Sequence, residues 1–229
     1  EPYRRQRQMC IRDRNNGVLP LKPGKIALYG AGAGGTVYCG TGSGYVFTSH
    51  VVTVEEGLVN AGFTLMTRDW LKRCAANEKA VNKADKTLNM LDRKWSGMTV
   101  LAQEPEITPA DLQAAQADTA VYVLRRNAGE CNDRKAEKGD YYLTDREVQN
   151  LTNLAAAYPH TVVVLNTCAI RDHAEKRVYG NLGALTHTKK ANPAQVICLC
   201  GCMAQEERVS QRAVSYTHLR AHETCADLV

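Results

Sequence analysis

The chain has 229 residues, 44% hydrophobic and 23% charged, which fits one large globular domain or two small ones and excludes a largely disordered chain. No apolar run approaches the ~20 residues of a membrane helix. The opening Glu1-Pro2-Tyr3-Arg4-Arg5 has no apolar stretch behind its charges, so no secretory signal is expected and the expected location is cytoplasmic, with no membrane partner.

The net charge of +5 is uneven. Residues 1–14 and 167–212 each carry +3, residues 15–166 are neutral, and residues 213–229 carry −1. Charge alone therefore gives no argument for nucleic-acid binding by the neutral middle.

Lys25-Ile26-Ala27-Leu28-Tyr29 reads as a short strand. Gly30 to Gly44 then holds seven glycines in fifteen residues, which predicts a loop. Thr53-Val54-Glu55-Glu56 opens a capping-box helix to about Asn60, and Gly62 stops it. Phe63 to Met66 is a candidate strand, and one long amphipathic helix is expected from Asp69 to about Asp92. Thr108-Pro109-Ala110-Asp111 starts another helix, with Pro in its first position. Thr119 to Leu124 is a continuous apolar strand of the kind buried on both faces. After a polar loop, Thr144-Asp145-Arg146-Glu147 caps a helix to Tyr158, and Thr161 to Leu165 is a second buried strand. A helix over His173–Lys190 and a strand over Gln195–Cys200 follow. Strands alternating with helices predict an α/β fold with a mostly parallel sheet and flanking helices.

The nine cysteines are odd in number, and only Cys198, Cys200 and Cys202 are clustered, so a disulfide framework is not expected. Gly30-Ala31-Gly32-Ala33-Gly34-Gly35 fits the spacing of a dinucleotide loop. The β-branched and Gly-rich residues after it make a poor first helical turn, which argues against pyrophosphate binding.

Three stretches carry a resemblance. They are Asn15-Asn16-Gly17-Val18-Leu19-Pro20-Leu21, the Gly loop with Gly40-Thr41-Gly42-Ser43-Gly44, and Val52-Thr53-Val54-Glu55-Glu56-Gly57-Leu58. The likeness continues through Asp118 to Val123, Ala128 to Arg134 and Glu137 to Leu143. Over about 15–165 the chain resembles the second domain of glycoside hydrolase family 3, chiefly β-glucosidases. The resemblance implies a six-stranded α/β sandwich packed against a preceding barrel and acting on a β-glucoside or related carbohydrate, without a cofactor. It also implies that the barrel supplies a carboxylate nucleophile and this domain the acid/base glutamate. Glu130, within Ala128-Gly129-Glu130-Cys131, stands at that position, although the family usually has Gly where Cys131 stands. From the residues alone, Glu130 lies in a loop beyond a buried strand, where α/β sheets place their sites. The alternative is a solvated glutamate flanked by Arg125, Arg126 and Arg134. Nothing before Asn15 has the length of a barrel, so the chain by itself is expected to be inactive.

The character of the sequence changes near Asn166. Asn166-Thr167-Cys168-Ala169-Ile170-Arg171, Ala174 to Leu182 and Cys200-Gly201-Cys202-Met203-Ala204-Gln205 resemble the N-terminal domain of the tRNA methylthiotransferases, over about 162–212. That resemblance implies a radical S-adenosylmethionine enzyme with tRNA as partner, and Cys168 and Cys202 as two of three ligands of a [4Fe-4S] cluster. The earlier third cysteine motif is absent, so the cluster is not expected to assemble; Cys198 and Cys200 read as packing residues.

Residues 4–14 and 214–224 resemble translated sequencing adapter and are set apart from the fold. A basic arm in the first and a His218/His222 metal pair with Cys225 in the second are the alternatives. The expected organisation is thus four pieces: 1–14, 15–165, 166–212 and 213–229. Three readings of function are open: a glycosidase fragment, a methylthiotransferase fragment, and a chimeric reading frame with no function of its own.

Overall fold

The structure, a computed structural model, describes residues 18–127, 137–140, 142–167, 172–200 and 219–220. Six strands form one sheet in the order β2-β1-β3-β4-β5-β6, and every neighbouring pair is parallel. They are β1 Lys25–Tyr29, β2 Thr64–Leu65, β3 Thr119–Arg126, β4 His160–Thr167, β5 Val196–Cys200 and β6 Leu219–Arg220. The helices are α1 Val54–Asn60, α2 Arg68–Ala84, α3 Met90–Ser96, α4 Pro109–Ala114, α5 Asp145–Ala157 and α6 Asp172–Ala191. The α/β class with a parallel sheet and flanking helices is as the alternation implied.

The apolar runs explain the layering. Ala120 to Leu124 of β3 and Thr161 to Val163 of β4 are all buried, as a parallel strand covered on both faces requires. Tyr29 stacks edge-to-face on Trp70 of α2, with ring centres 5.2 Å apart. The capping box at Thr144/Glu147 forms as the sequence implied, and the helix start at Thr108, with Pro109 in its first turn, proves to be a capping box with Asp111 as well. At Thr53 the hydroxyl accepts from the Glu56 amide, but the Glu56 carboxylate turns to His50 Nε2 at 3.0 Å.

The long helix expected over 69–92 is two helices. The chain leaves α2 at Asp85, whose carboxylate accepts from the amides of Thr87 and Leu88 and from Arg93. Asn89 and Asp92 then form a fresh capping box for α3. A short acidic side chain that satisfies nearby amides competes with the helix, and here it wins.

The change in sequence character near Asn166 is not matched by a break in the sheet. β4 pairs with β5 from Val162↔Val196 to Asn166↔Cys200. Leu182 and Leu185 of α6 and Ile197 of β5 are completely buried in the core shared with β3 and β4. Leu219–Arg220, inside the segment set apart as adapter-like, forms the edge strand beside β5. If α6 belongs to this core, Leu182→Ala will cost about 2–5 kcal/mol, the range for a buried Leu truncation. Urea unfolding followed by Trp70 fluorescence will show the loss in a single transition; an unchanged midpoint would mean that α6 is not part of the cooperative unit.

Candidate functional site

The strand order reverses between β1 and β3: from β1 the chain steps outward to β2, then returns to the other side of β1 as β3. In open α/β sheets, ligands bind outside the carboxyl ends of the strands at such a switch point. Two loops leave the sheet there, the glycine loop after β1 and the loop after β3.

The glycine loop lies directly on β3. Gly30 has φ +93°, and a Cβ on it would stand 2.4 Å from the Val123 carbonyl oxygen, so only glycine fits. The Gly32 amide donates to that same carbonyl at 3.0 Å. No helix opens on this loop: the first α-helix after it begins at Val54. Its amides are therefore not arranged as a dinucleotide loop requires. Thr36 Oγ1 instead accepts from the Val54 amide and donates to the Gly32 carbonyl, both at 2.9 Å. Asn166, buried at the end of β4, holds Val37 as a second strand would: its Oδ1 accepts from the Val37 amide at 2.6 Å and its Nδ2 donates to the Val37 carbonyl at 3.1 Å.

At the end of β3 two adjacent arginines diverge. Arg125 Nη2 donates to Glu78 of α2 at 2.5 Å, and its Nη1 to the Gly35 carbonyl at 3.3 Å. Arg126 makes a two-pronged pair with Glu147 of α5 at 2.8 and 2.7 Å and donates through Nε to the Asp140 carbonyl at 3.1 Å. Both partners of the second pair are buried, and the Glu147 charge helps to hold the Arg126 pKa up against burial. Glu147 also accepts from the Thr144 amide at 2.8 Å, so one carboxylate closes the base of the loop over 127–143 and caps α5.

Glu104 is the other carboxyl of the site. Its Oε1 accepts from the Ala31 amide at 2.7 Å, and Tyr122 donates its hydroxyl to Oε2. Burial, then the negative charge of Glu147, push its pKa up from 4.5 to about 7. Between the glycine loop, α1 and α2 lies a cleft of about 520 Å³. Gly30, Ala31, Gly34 and Gly35 form one wall and Leu71, Cys74 and Ala75 another, with Glu55, Glu78, Lys79, Asn82, Thr99 and Arg125 supplying the polar groups.

Of the residues singled out from sequence, Glu130, Cys168 and Cys202 lie outside the described residues. The structure does fix where their flanks leave the sheet. Glu130 comes four residues after Arg126, the last of β3. Cys168 directly follows β4, and Cys202 comes two residues after β5, which is in register with β4 at Asn166↔Cys200. Sequence reasoning missed Glu104, Glu78 and Asn166 as organisers of the edge. The Asn–backbone clamp has no local signal, because Val37 and Asn166 are 129 residues apart. Glu147 was legible only as a cap.

The model of the glycosyl hydrolase family 3 C-terminal domain matches residues 14–209. The chain belongs to this family. The match runs past Asn166 and takes in α6 and β5 of the family 3 domain described above. In three dimensions the domain is similar to β-glucosidase 3B from Thermotoga neapolitana in complex with α-D-glucose. The TM-score is 0.56 and the identity 27%, over 67% of this chain and 22% of that one. A β-glucosidase from Paenibacillus barengoltzii shares the fold at TM-score 0.55 and 21% identity, over 73% of this chain and 18% of that one.

Among curated proteins, part of the chain is similar to tRNA-2-methylthio-N(6)-dimethylallyladenosine synthases. That of Clostridium beijerinckii is 33% identical over 102 residues, 44% of this chain and 22% of its own length. That of Malacoplasma penetrans is 53% identical over 51 residues, 22% of this chain and 10% of its own length. The chain thus spans about a fifth or less of these relatives, and part of it resembles a second enzyme class, as a chimera would.

Protonation of Glu104 has a measurable consequence. The neutral carboxyl is favoured in the folded state, so its contribution is fully present below about pH 4.5 and is lost as pH rises through about 7. Glu104→Gln, which keeps an acceptor for Ala31, will be progressively more stable than the parent over that interval, by roughly 1.4 kcal/mol per pH unit. Urea midpoints of the two proteins at pH 4.5, 6 and 8 test this; parallel pH profiles would place the carboxyl in contact with water.

Proposed function

We propose that this chain is a fragment of a retaining β-glucosidase-type enzyme, and that Glu130 is its general acid/base. What supports the reading is the family match together with the position of Glu130 in the sequence, four residues after Arg126, where β3 ends. The neighbour from Thermotoga neapolitana is in complex with α-D-glucose, which supports a carbohydrate as substrate class. In the proposed reaction Glu130 donates its proton to the glycosidic oxygen as the bond to the anomeric carbon breaks, and later takes a proton from the attacking water. Retention requires a carboxylate nucleophile about 5–5.5 Å from it. The family resemblance gives that carboxylate to a barrel, so turnover in this reading needs the barrel and this domain together. Arg126 and Glu147 tie the end of β3 to the start of α5, on either side of Glu130 in the sequence.

The test supplies a family 3 barrel in trans with this chain. Glu130→Gln will lower hydrolysis of alkyl β-glucosides about 10²–10⁴-fold, the usual worth of a positioned proton donor. Nitrophenyl glucosides, whose leaving group departs without a proton, will lose less in the first step. Equal loss for both substrates would remove Glu130 from the role. Nitrophenol released by the chain alone, and abolished by Glu130→Gln, would show that it holds its own nucleophile.

The similarity to methylthiotransferases favours a second reading, compatible with the first. We infer that the chain is a chimeric reading frame, with glycosidase sequence over 15–165, methylthiotransferase sequence over 166–212 and adapter-derived ends. Cys168 and Cys202 follow adjacent parallel strands, a sound start for cluster ligation. Two thiolates nonetheless fall short of the three or four that hold an iron–sulfur cluster. The two matched thiolates therefore do not make up the ligand set of a [4Fe-4S] cluster, and no step is assigned to one or to tRNA. Anaerobic reconstitution with iron and sulfide will leave the protein colourless; a stable brown protein, bleached in Cys168→Ala, would revive cluster binding. Long single-molecule reads of the source DNA across the codons for His160 to Arg171 decide whether the junction is real.

A further inference from the structure

We propose that the outward face of α3, together with Val46 and Phe47, is a docking surface for an anionic lipid bilayer. The inference is independent of the acid/base reading of Glu130. It starts from a helix that is turned inside out. Met90, Leu91, Lys94 and Trp95 of α3 fall within one arc of ~140°, at ~100° per residue. All four are exposed, Met90 by 73%, Leu91 by 62% and Trp95 by 57%. The polar Arg93 points the other way. It donates to the Leu88 and Asp85 carbonyls at 3.3 and 3.1 Å, to Asn82 Oδ1 at 3.3 Å and to the Asp85 carboxylate at 2.5 Å. An ordinary surface helix does the reverse and buries its apolar stripe. A contiguous apolar face left outward marks a contact surface. The face continues onto the segment before α1. Phe47, 63% exposed, stacks edge-to-face on Trp95 with ring centres 5.7 Å apart, and Tyr45 stacks on Phe47 at 5.0 Å. Tyr45 lies against Gly97, where a Cβ would stand 2.3 Å from its ring, so the aromatic rings are in place before any partner arrives.

Charge selects the occupant. Lys83 in the last turn of α2, Lys86 just before α3 and Lys94 within it are all exposed. The two acidic residues of this stretch are engaged inside the protein. Asp85 accepts from Arg93 and from the Thr87 and Leu88 amides, and Asp92 from the Asn89 amide. The surface that borders the apolar cluster is therefore cationic. One lysine, Lys94, stands within the apolar face itself. The cores of protein interfaces are depleted in Lys, and a second copy related by a two-fold axis would set the same lysines against each other. At a bilayer surface the same composition is favourable. Trp, Phe, Leu and Met enter the boundary between headgroups and acyl chains, and Lys stems lie along them while the ammonium groups reach lipid phosphates. No helix of the described residues is long and apolar enough to cross a membrane. The expectation of no membrane partner rests on that lack of a spanning segment, which bears on crossing a bilayer and not on lying against one.

Sedimentation of the full chain with vesicles of phosphatidylglycerol and phosphatidylcholine in equal parts tests this. The vesicles will carry the chain down at about 0.1 M salt and release it at about 1 M. Vesicles of phosphatidylcholine alone will bind it about tenfold more weakly or worse, because they offer the lysines no net negative charge. Binding will move the tryptophan emission to the blue, and the shift will be absent in Trp95→Ser, because Trp70 is already buried. Lys94→Gln will weaken binding about fivefold, the worth of one basic residue near an anionic surface. If Trp95→Ser lowers the thermal midpoint, Met90→Ser, at the most exposed position of the face, will still weaken binding about threefold or more. A chain that stays in solution with the anionic vesicles overturns the proposal. Equal binding to both kinds of vesicle overturns it too, since the charge argument then fails. Binding left unchanged by Lys94→Gln and Met90→Ser would belong to basic residues elsewhere, those of residues 1–14 included, and would overturn it as well. So would a stable dimer in sedimentation equilibrium that Met90→Ser dissociates, which would give the face to a second copy.

Discussion

The buried pair between Arg126 and Glu147 is the constraint on which the working edge of this domain depends. Arg126 ends the central strand, and Glu147 sits in the first turn of the helix that follows the loop. Their two parallel hydrogen bonds, the Arg126 bond to the Asp140 carbonyl and the Glu147 bond to the Thr144 amide tie four points of chain together. A pair this deeply buried contributes little over an apolar substitute, yet losing one partner leaves an uncompensated charge and is strongly destabilising. Its effect is thus to fix geometry: the end of β3 and the start of α5 are held together.

The same edge is organised a second time around the glycine loop. Gly30 and Gly32 allow backbone to lie on Val123, and the Asn166 amide ties Val37 to β4. Three strands and α1 therefore meet on one loop. Glu104, holding the Ala31 amide and the Tyr122 hydroxyl, adds a buried carboxyl beside the Arg126–Glu147 pair. The cost of burying it shows in its raised pKa, which neighbouring Glu147 reinforces.

Part of this family 3 chain is similar to a second enzyme class, and the sheet shows why sequence of either kind could complete the fold. A parallel strand needs an apolar run, a register partner and a covering helix, and β5 with α6 supplies all three to β4. Val162 to Leu165 form an apolar run that serves as such a strand whatever its origin. The family 3 match extends across the junction, and so does the buried core. A continuous sheet is therefore no evidence that the sequence is of one origin, and the partial similarity to the methylthiotransferases keeps the chimeric reading alive.

Local signals carried much of this protein. The apolar runs, capping boxes and glycine punctuation determined where β1, β3, β4, β5, α4 and α5 lie, because each element is specified by residues within a few positions of one another. The family likeness, resting on ordered motifs, located Glu130 after β3. Local pattern failed at Asp85, where the periodicity continues but a side chain captures the helix's amides. It could not reveal that Asn166 clasps Val37, that Arg125 and Arg126 part toward Glu78 and Glu147, or that Glu104 lies beneath Ala31. Those contacts join residues 21 to 129 positions apart, and their partners are chosen by strand order and register. The cleft at the switch point likewise exists only once β1 and β3 are neighbours, which tertiary structure alone decides.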